Sequence, residues 1–296
     1  MKKLALTLLA SVSIYAGAVT AENEPIELAL LDSGHSDTSS PWQDLNPGKL
    51  ALRSASALVI DESGEIVYGK DADEPRPIAS ITKLMTAMVV LDAGLPLDDK
   101  IVVTRDDRDL IRLTGSRLTY GASLTREEML RLALMASENR AASALGRSYP
   151  GGKAAFVEAM NQKARSLGME NSHFADPAGL DAGNVASARD IARMVRAAHT
   201  YPLIREATTT RAMNVHPFQG RGPLRFGNTN RLLRNEAWAI ELSKTGYINE
   251  AGRCLVMQAQ IAHQELVIVL LNSYGKLTPF GDSNRIRKWI ESGVEG

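Results

Sequence analysis

The chain has 296 residues, 44% of them hydrophobic, with 34 basic side chains against 34 acidic ones. That length buries the core of one large domain or two small ones. The zero formal charge lacks the basic excess of a nucleic-acid partner, and a lone cysteine, Cys254, excludes an internal disulfide.

Lys2 and Lys3, the apolar stretch Leu4 to Ala18 and the small-residue end Val19-Thr20-Ala21 read as an export signal over 1–21. Ala16-Gly17-Ala18 is a second candidate cleavage site. The stretch is short for a bilayer span, so the sequence predicts no transmembrane anchor after cleavage. Residues 22–48 show little periodicity and read as a linker or loose extension. Order is expected from Leu50, within a domain over 49–296.

Ser56–Ile60 and Glu65–Tyr68 are β-type runs around the turn signal Asp61-Glu62-Ser63-Gly64, a predicted hairpin. The middle is helical. Ser80 to Ala93 has few breakers, Thr125 with Glu128 forms a capping box, Gly152 to Leu167 is helical in pattern, and Ser187 with Asp190 signals another start. Ala239–Gly246, Arg253–Ile261 and Glu265–Asn272 are three strands, with Asn249 to Gly252 and His263-Gln264 as the turns. Asp282 to Ser292 closes the chain as a helix. The order of strands, helices, strands and helix predicts an α+β fold, with one antiparallel sheet assembled from both chain ends around a helical insertion. Cys254, inside the apolar run to Met257, is expected to be a buried structural thiol.

Ser80 and Lys83 stand three apart. On a helix they share a face, so the amine can take the hydroxyl proton and activate a weak nucleophile. That requires a depressed lysine pKa, through burial or a second cation. A helix start also offers free N–H groups beside Ser80 for an oxyanion. The spacing alone is weak, since Ser-x-x-Lys occurs about once by chance in a chain this long. Ser273-Tyr274-Gly275-Lys276 is such a copy, read as a loop at a strand end.

Two further motifs raise the significance of the first. Ser137-Glu138-Asn139 and Lys244-Thr245-Gly246 follow downstream, in the order of the serine penicillin-recognising enzymes. Ser137 can relay a proton to a leaving amine, and Asn139 can hold a substrate amide and the lysine. Lys244 can bind a carboxylate and supply the second cation. Gly246 admits a substrate backbone to the strand edge, and Tyr247 offers a second oxyanion N–H. Arg253 is assigned a surface or structural role, with carboxylate binding as its alternative. His173 and His216 lack partners at ligand spacing, so no metal is expected. Asn228 and Asn230 read as loop hydrogen bonders.

The stretches RPIASITKLMTAMVVLDAGLPLDD (76–99), LALMASENRAASALGRSYPGG (132–152), SLGMENSHFADPAGL (166–180), SARD (187–190), NTN (228–230) and SKTGYINEAGRCLVM (243–257) extend beyond the catalytic letters. Over residues 50 to 295 the chain resembles the low-molecular-mass penicillin-binding proteins, the D-alanyl-D-alanine peptidases, and most closely their endopeptidase branch. The resemblance implies a β-lactamase/transpeptidase-like fold: a five-stranded antiparallel sheet flanked by helices, with a helical subdomain. It implies Ser80 as acyl-ester nucleophile, Lys83 as proton acceptor, Ser137 and Asn139 as the second motif, and Lys244, Thr245, Gly246 and Tyr247 at the substrate. It also implies peptidoglycan stem peptides as substrate, penicillins as covalent inhibitors, a periplasmic location and no cofactor. The extra β-rich domain and C-terminal anchor of the carboxypeptidases are not expected here. A DD-carboxypeptidase is the nearest alternative, since the motifs are shared. A β-lactamase would need a deacylating Glu-x-x-Leu-Asn loop, which is not found. A non-catalytic cell-wall or β-lactam binding module would tolerate a lost motif residue, and all three motifs are intact.

Overall fold

The computed structural model describes residues 40–294. The expected export signal, and the expected linker up to residue 39, lie outside the described residues. No described helix is long and apolar enough to cross a membrane.

β1 (Ser54–Asp61) and β2 (Ile66–Lys70) form the expected first hairpin, with Val59 opposite Tyr68. A short β3 (Arg76–Pro77) leads into a 3₁₀ turn over Ala79–Thr82 and then α1 (Lys83–Asp92). The helix expected from Ser80 therefore opens at Lys83, and Ser80 sits in the tighter turn before it. β4 (Lys100–Val102) pairs with β5 (Ser123–Thr125), which runs into α2 (Arg126–Met135). α2 starts at the predicted capping box: Thr125 Oγ1 accepts the Glu128 N–H at 3.0 Å, and Glu128 accepts the Thr125 N–H at 2.8 Å. α3 (Asn139–Arg147) and α4 (Gly152–Ser166) follow. β6 (Val185–Ala186) pairs with β3 and precedes α5 (Ala188–His199) and α6 (Pro202–Thr209). β7 (Ala212–Val215) and β8 (Leu224–Gly227) make a hairpin. Last come β9 (Ala239–Ile248), β10 (Gly252–Ile261), β11 (Gln264–Ser273) and α7 (Thr278–Val294).

The five long strands make one antiparallel sheet in the order β2-β1-β11-β10-β9. The sheet thus takes strands from both ends of the described chain, as the element order predicted. Its centre reads as unbroken apolar runs because both faces are covered. Leu58 and Ile60 of β1, Val267, Val269 and Leu271 of β11, and Val256 of β10 face the helical region. Their neighbours Ala57, Val59, Leu266, Ile268, Leu270, Leu255 and Met257 face a second core with Ile286, Trp289 and Ile290 of α7. This alternation follows from the two-residue repeat of a strand.

The segment before β1 differs from its expectation. Trp42, Leu45 and Leu50 are buried in that second core. Trp42 Nε1 donates to Asp61 Oδ2 at 2.8 Å, and Trp289 Nε1 donates to the Asn46 carbonyl at 3.0 Å. Packed structure therefore begins by residue 40 rather than at Leu50. Burying a leucine contributes roughly 1.5–3 kcal/mol, enough to offset much of the ordering of a short segment.

β9 is the edge strand nearest the helices. The 3₁₀ turn and α6 pack along it, which brings Ser80 to the strand that carries Lys244.

Candidate active site

In a 3₁₀ turn, residues i and i+3 eclipse. Ser80 occupies such a turn, and three residues on is Lys83 at the start of α1. Lys83 Nζ stands 2.7 Å from Ser80 Oγ, 2.8 Å from Asn139 Oδ1 and 2.5 Å from the Ala178 carbonyl. Three ammonium protons thus meet three acceptors. The side chain is 0% exposed. Burial pushes its pKa down from 10.5 to about 7, against the opposing charges of Asp176, Glu138 and Asp109. When the amine is neutral, the same 2.7 Å contact lets the Ser80 hydroxyl donate to Nζ.

Ser137 ends the turn between α2 and α3 with φ +58°, in the left-handed region that a serine enters at a cost of about 1–2 kcal/mol. That conformation places Ser137 Oγ 2.9 Å from Lys244 Nζ. Two residues on, Asn139 opens α3 and its amide is fixed from both sides. Oδ1 accepts from Lys83, while Nδ2 donates to Thr114 Oγ1 at 3.0 Å. Thr114 in turn donates to Asp109 Oδ2 at 2.7 Å.

Lys244 is only 1% exposed, and its Nζ donates to Ser137 Oγ and to the Thr245 carbonyl, each at 2.9 Å. Its pKa is held well below the usual lysine value by burial and then by the charge of Lys83. Burial is the largest cause of the depressed Lys83 pKa, and the two buried ammonium groups oppose one another's charge. Lys244 lies just behind the cleft wall, with its ammonium turned to the cleft-lining Ser137.

Gly246 is also required by the protein's own backbone. A Cβ there would stand 2.8 Å from the Ile78 carbonyl and 3.3 Å from Ser80 N. The missing side chain admits the protein's own Ser80 turn to β9, one residue before Tyr247. Ala79, at φ +49°, bends that turn. Gly179 supports it from the other side, since a Cβ on Gly179 would lie 2.0 Å from the Ala79 carbonyl.

The cleft above these groups has a volume of about 350 Å³ and is lined by Ser80, Ser137, Asn139, Thr229, Thr245 and Tyr247, among others. The three motifs, separated by up to 164 positions from Ser80 to Lys244 (244 − 80), converge on one wall.

The family described as D-alanyl-D-alanine carboxypeptidase, peptidase S11, matches residues 43–275. The chain belongs to this family. The S11 fold agrees with a 25% identical solved structure, the Streptomyces K15 DD-transpeptidase, which superposes at a TM-score of 0.74 over 82% of this chain and 98% of that one. Two curated relatives are named D-alanyl-D-alanine endopeptidase. That of Pseudomonas aeruginosa is 47% identical over 83% of this chain and 80% of its own. That of Escherichia coli is 45% identical over 82% and 78%. The resemblance and the fold class read from the sequence are both borne out, and this S11 member is a serine-type D-Ala-D-Ala peptidase.

Several residues of the S11 site were not singled out from the sequence. Asp176 Oδ1 accepts the N–H groups of Ala178 and Gly179, and Oδ2 accepts those of Leu180 and Asp181. This holds the Ala178 carbonyl against Lys83. The Asp-Pro-x-Gly turn signal was present at 176–179, but its target lies 95 residues away at Lys83. Asp109 and Thr114 were missed for the same reason. Thr229 stands in the Asn-Thr-Asn stretch before the 3₁₀ turn at Arg231–Arg234. Its Oγ1 lies 2.6 Å from Thr245 Oγ1. Asn228 and Asn230 bond backbone groups, as expected. Cys254 is buried at the cleft lining, and burial pushes its thiol up to about 11, as for an inert structural thiol. At a separate cavity, His199 Nε2 lies 2.9 Å from Glu241 Oε2, with Glu265 nearby.

Proposed function

We propose that this S11 peptidase is a DD-endopeptidase that opens the D-alanyl peptide cross-links of peptidoglycan through a Ser80 acyl-enzyme. The observation that carries the reading is the fully buried Lys83 amine, with a pKa near 7, set 2.7 Å from a hydroxyl on a cleft wall. In the neutral form Lys83 takes the Ser80 proton as Oγ attacks the D-alanyl carbonyl carbon. The backbone N–H groups of Ser80 and Tyr247 receive the oxyanion. Ser137, bonded to Lys244, passes a proton to the leaving amine. Water then adds to the ester carbonyl, releases the shortened stem peptide and returns the proton to Ser80. Asn139 holds the substrate amide, and Thr245 and Gly246 border its path along β9.

Penicillins, which present an acylating amide in place of D-Ala-D-Ala, would stop at the Ser80 ester. An export signal over 1–21 and a periplasmic location accompany this reading, as does independence from any cofactor. The endopeptidase activity in the names of two relatives at 47% and 45% identity favours cross-links over terminal D-alanine.

The test uses purified sacculi and isolated cross-linked dimers, with products identified by mass. Release of monomers by the wild-type protein, and none by Ser80→Ala, is the expected result. A Ser80→Ala protein that still opens dimers overturns the mechanism. A wild-type protein that trims pentapeptides but leaves dimers whole replaces the reading with a DD-carboxypeptidase.

A further inference from the structure

Lys244 Nζ is held by Ser137 Oγ and the Thr245 carbonyl at one point of the cleft, and a bound peptide extends beyond it. Three other cations line the cleft: Arg231, Arg253 and Lys276. The lining contains no aspartate or glutamate. Among the described residues none of the three cations is in an ion pair, in contrast to Arg112, Arg131 and Arg147. Arg253 is held in place by stacking, its guanidinium carbon 3.6 Å above the centre of the Tyr247 ring. It therefore presents its N–H groups without having to be ordered by the ligand.

The cleft does not end there. Tyr247, Arg253 and Lys276 also line a neighbouring hollow of about 420 Å³, together with Asn249, Asn272 and Tyr274. This second hollow also has no acidic lining residue. Tyr274 is 93% exposed and free to cover a ligand. The one carboxylate in the β9–β10 turn, Glu250, is turned to Arg112 at 2.7 Å and so is neutralised.

The two hollows form a continuous basic groove. A leaving group that is one free D-alanine has a single carboxylate and fills little of it. The leaving strand of a cross-link is a whole second stem peptide, longer and with carboxylates of its own. We infer that the groove from Arg253 to Lys276 and Tyr274 is a leaving-strand subsite, which selects an extended polyanionic peptide over a single amino acid. The inference rests on the endopeptidase reading and adds the residues that set its preference. Arg253 receives the carboxylate beside the scissile amide. Lys276 receives one farther along the strand, and Tyr274 packs on the peptide between them.

The experiment compares kcat/KM for a cross-linked dimer and for a pentapeptide in wild-type, Lys276→Gln and Arg253→Gln proteins, with penicillin labelling to count active sites. A charge-assisted contact of this kind supports about a tenfold change. The dimer-to-pentapeptide ratio is expected to fall about tenfold in Lys276→Gln. A dimer whose leaving-strand carboxylates are converted to amides should lose the same factor in the wild type and nothing further in the variant. Ratios that stay constant while both substrates decline together overturn the subsite, as does an amidated dimer cleaved as fast as the acid. Failure of the underlying reading looks different, because the wild-type protein then leaves the unmodified dimer intact.

Discussion

Ser80 and Lys83 are separated by three positions, as are Ser273 and Lys276. The first pair lies on a 3₁₀ turn running into a helix, where the two side chains stack at 2.7 Å. The second straddles the end of β11, where alternate residues point to opposite faces. Ser273 is buried against Ser54 Oγ at 2.7 Å, and Ser54 donates to Asp282, so this serine ties β1 and β11 to α7. Lys276 is exposed and turned into the cleft. A motif therefore acquires its chemistry from the backbone beneath it and from the water around it. Burial lowers Lys83 to about 7.

The contrast can be broken most severely at the first serine. Ser80→Ala is expected to lower acylation by penicillin by a factor on the order of 10⁴ or more, as removal of a nucleophile does. Gel detection of a fluorescent penicillin adduct checks this, with a labelled Ser80→Ala protein as the contrary result. Lys83→Met should slow acylation by roughly 10²–10⁴, the range of a general base.

In the wild type, the acylation rate should fall about tenfold per pH unit below pH 7 and level off above it. The protonated amine predominates below its pKa and cannot accept the serine proton. Stopped-flow rates between pH 5 and 9 would show the limb, and a flat profile would remove Lys83 from that role. The same depression bears on stability. The folded pKa lies below 10.5, so the unfolded chain binds more protons between about pH 7 and 10.5, and this group's cost is relieved as pH rises through that window.

Gly179→Ala acts on the turn rather than on the chemistry. It forces a Cβ against the Ala79 carbonyl at a left-handed position, and should cost roughly 2–4 kcal/mol in denaturant unfolding. The smallest effect belongs to the second motif. Ser273→Ala should retain full penicillin acylation and lose only about 1 kcal/mol, the net value of a buried hydrogen bond. Loss of labelling in Ser273→Ala would erase the distinction between the two copies.

Much of this was legible in the sequence because it depends on neighbours along the chain. The β1–β2 hairpin, the Thr125 capping box and the three C-terminal strands follow from turn residues and hydrophobic period. So did Ser80, Lys83, Ser137, Asn139 and Lys244, through motifs whose order could be checked against one another. Tertiary structure decided the rest. It alone shows that Trp42 and Leu45 join a second core, that Asp176 presents the Ala178 carbonyl to Lys83, and that Gly246 makes room for the Ser80 turn. It also shows which cations line the cleft besides the buried Lys244. Residue type and spacing report what a side chain can do. Burial and long-range approach set its charge and its partners, and these arise only when distant segments pack together.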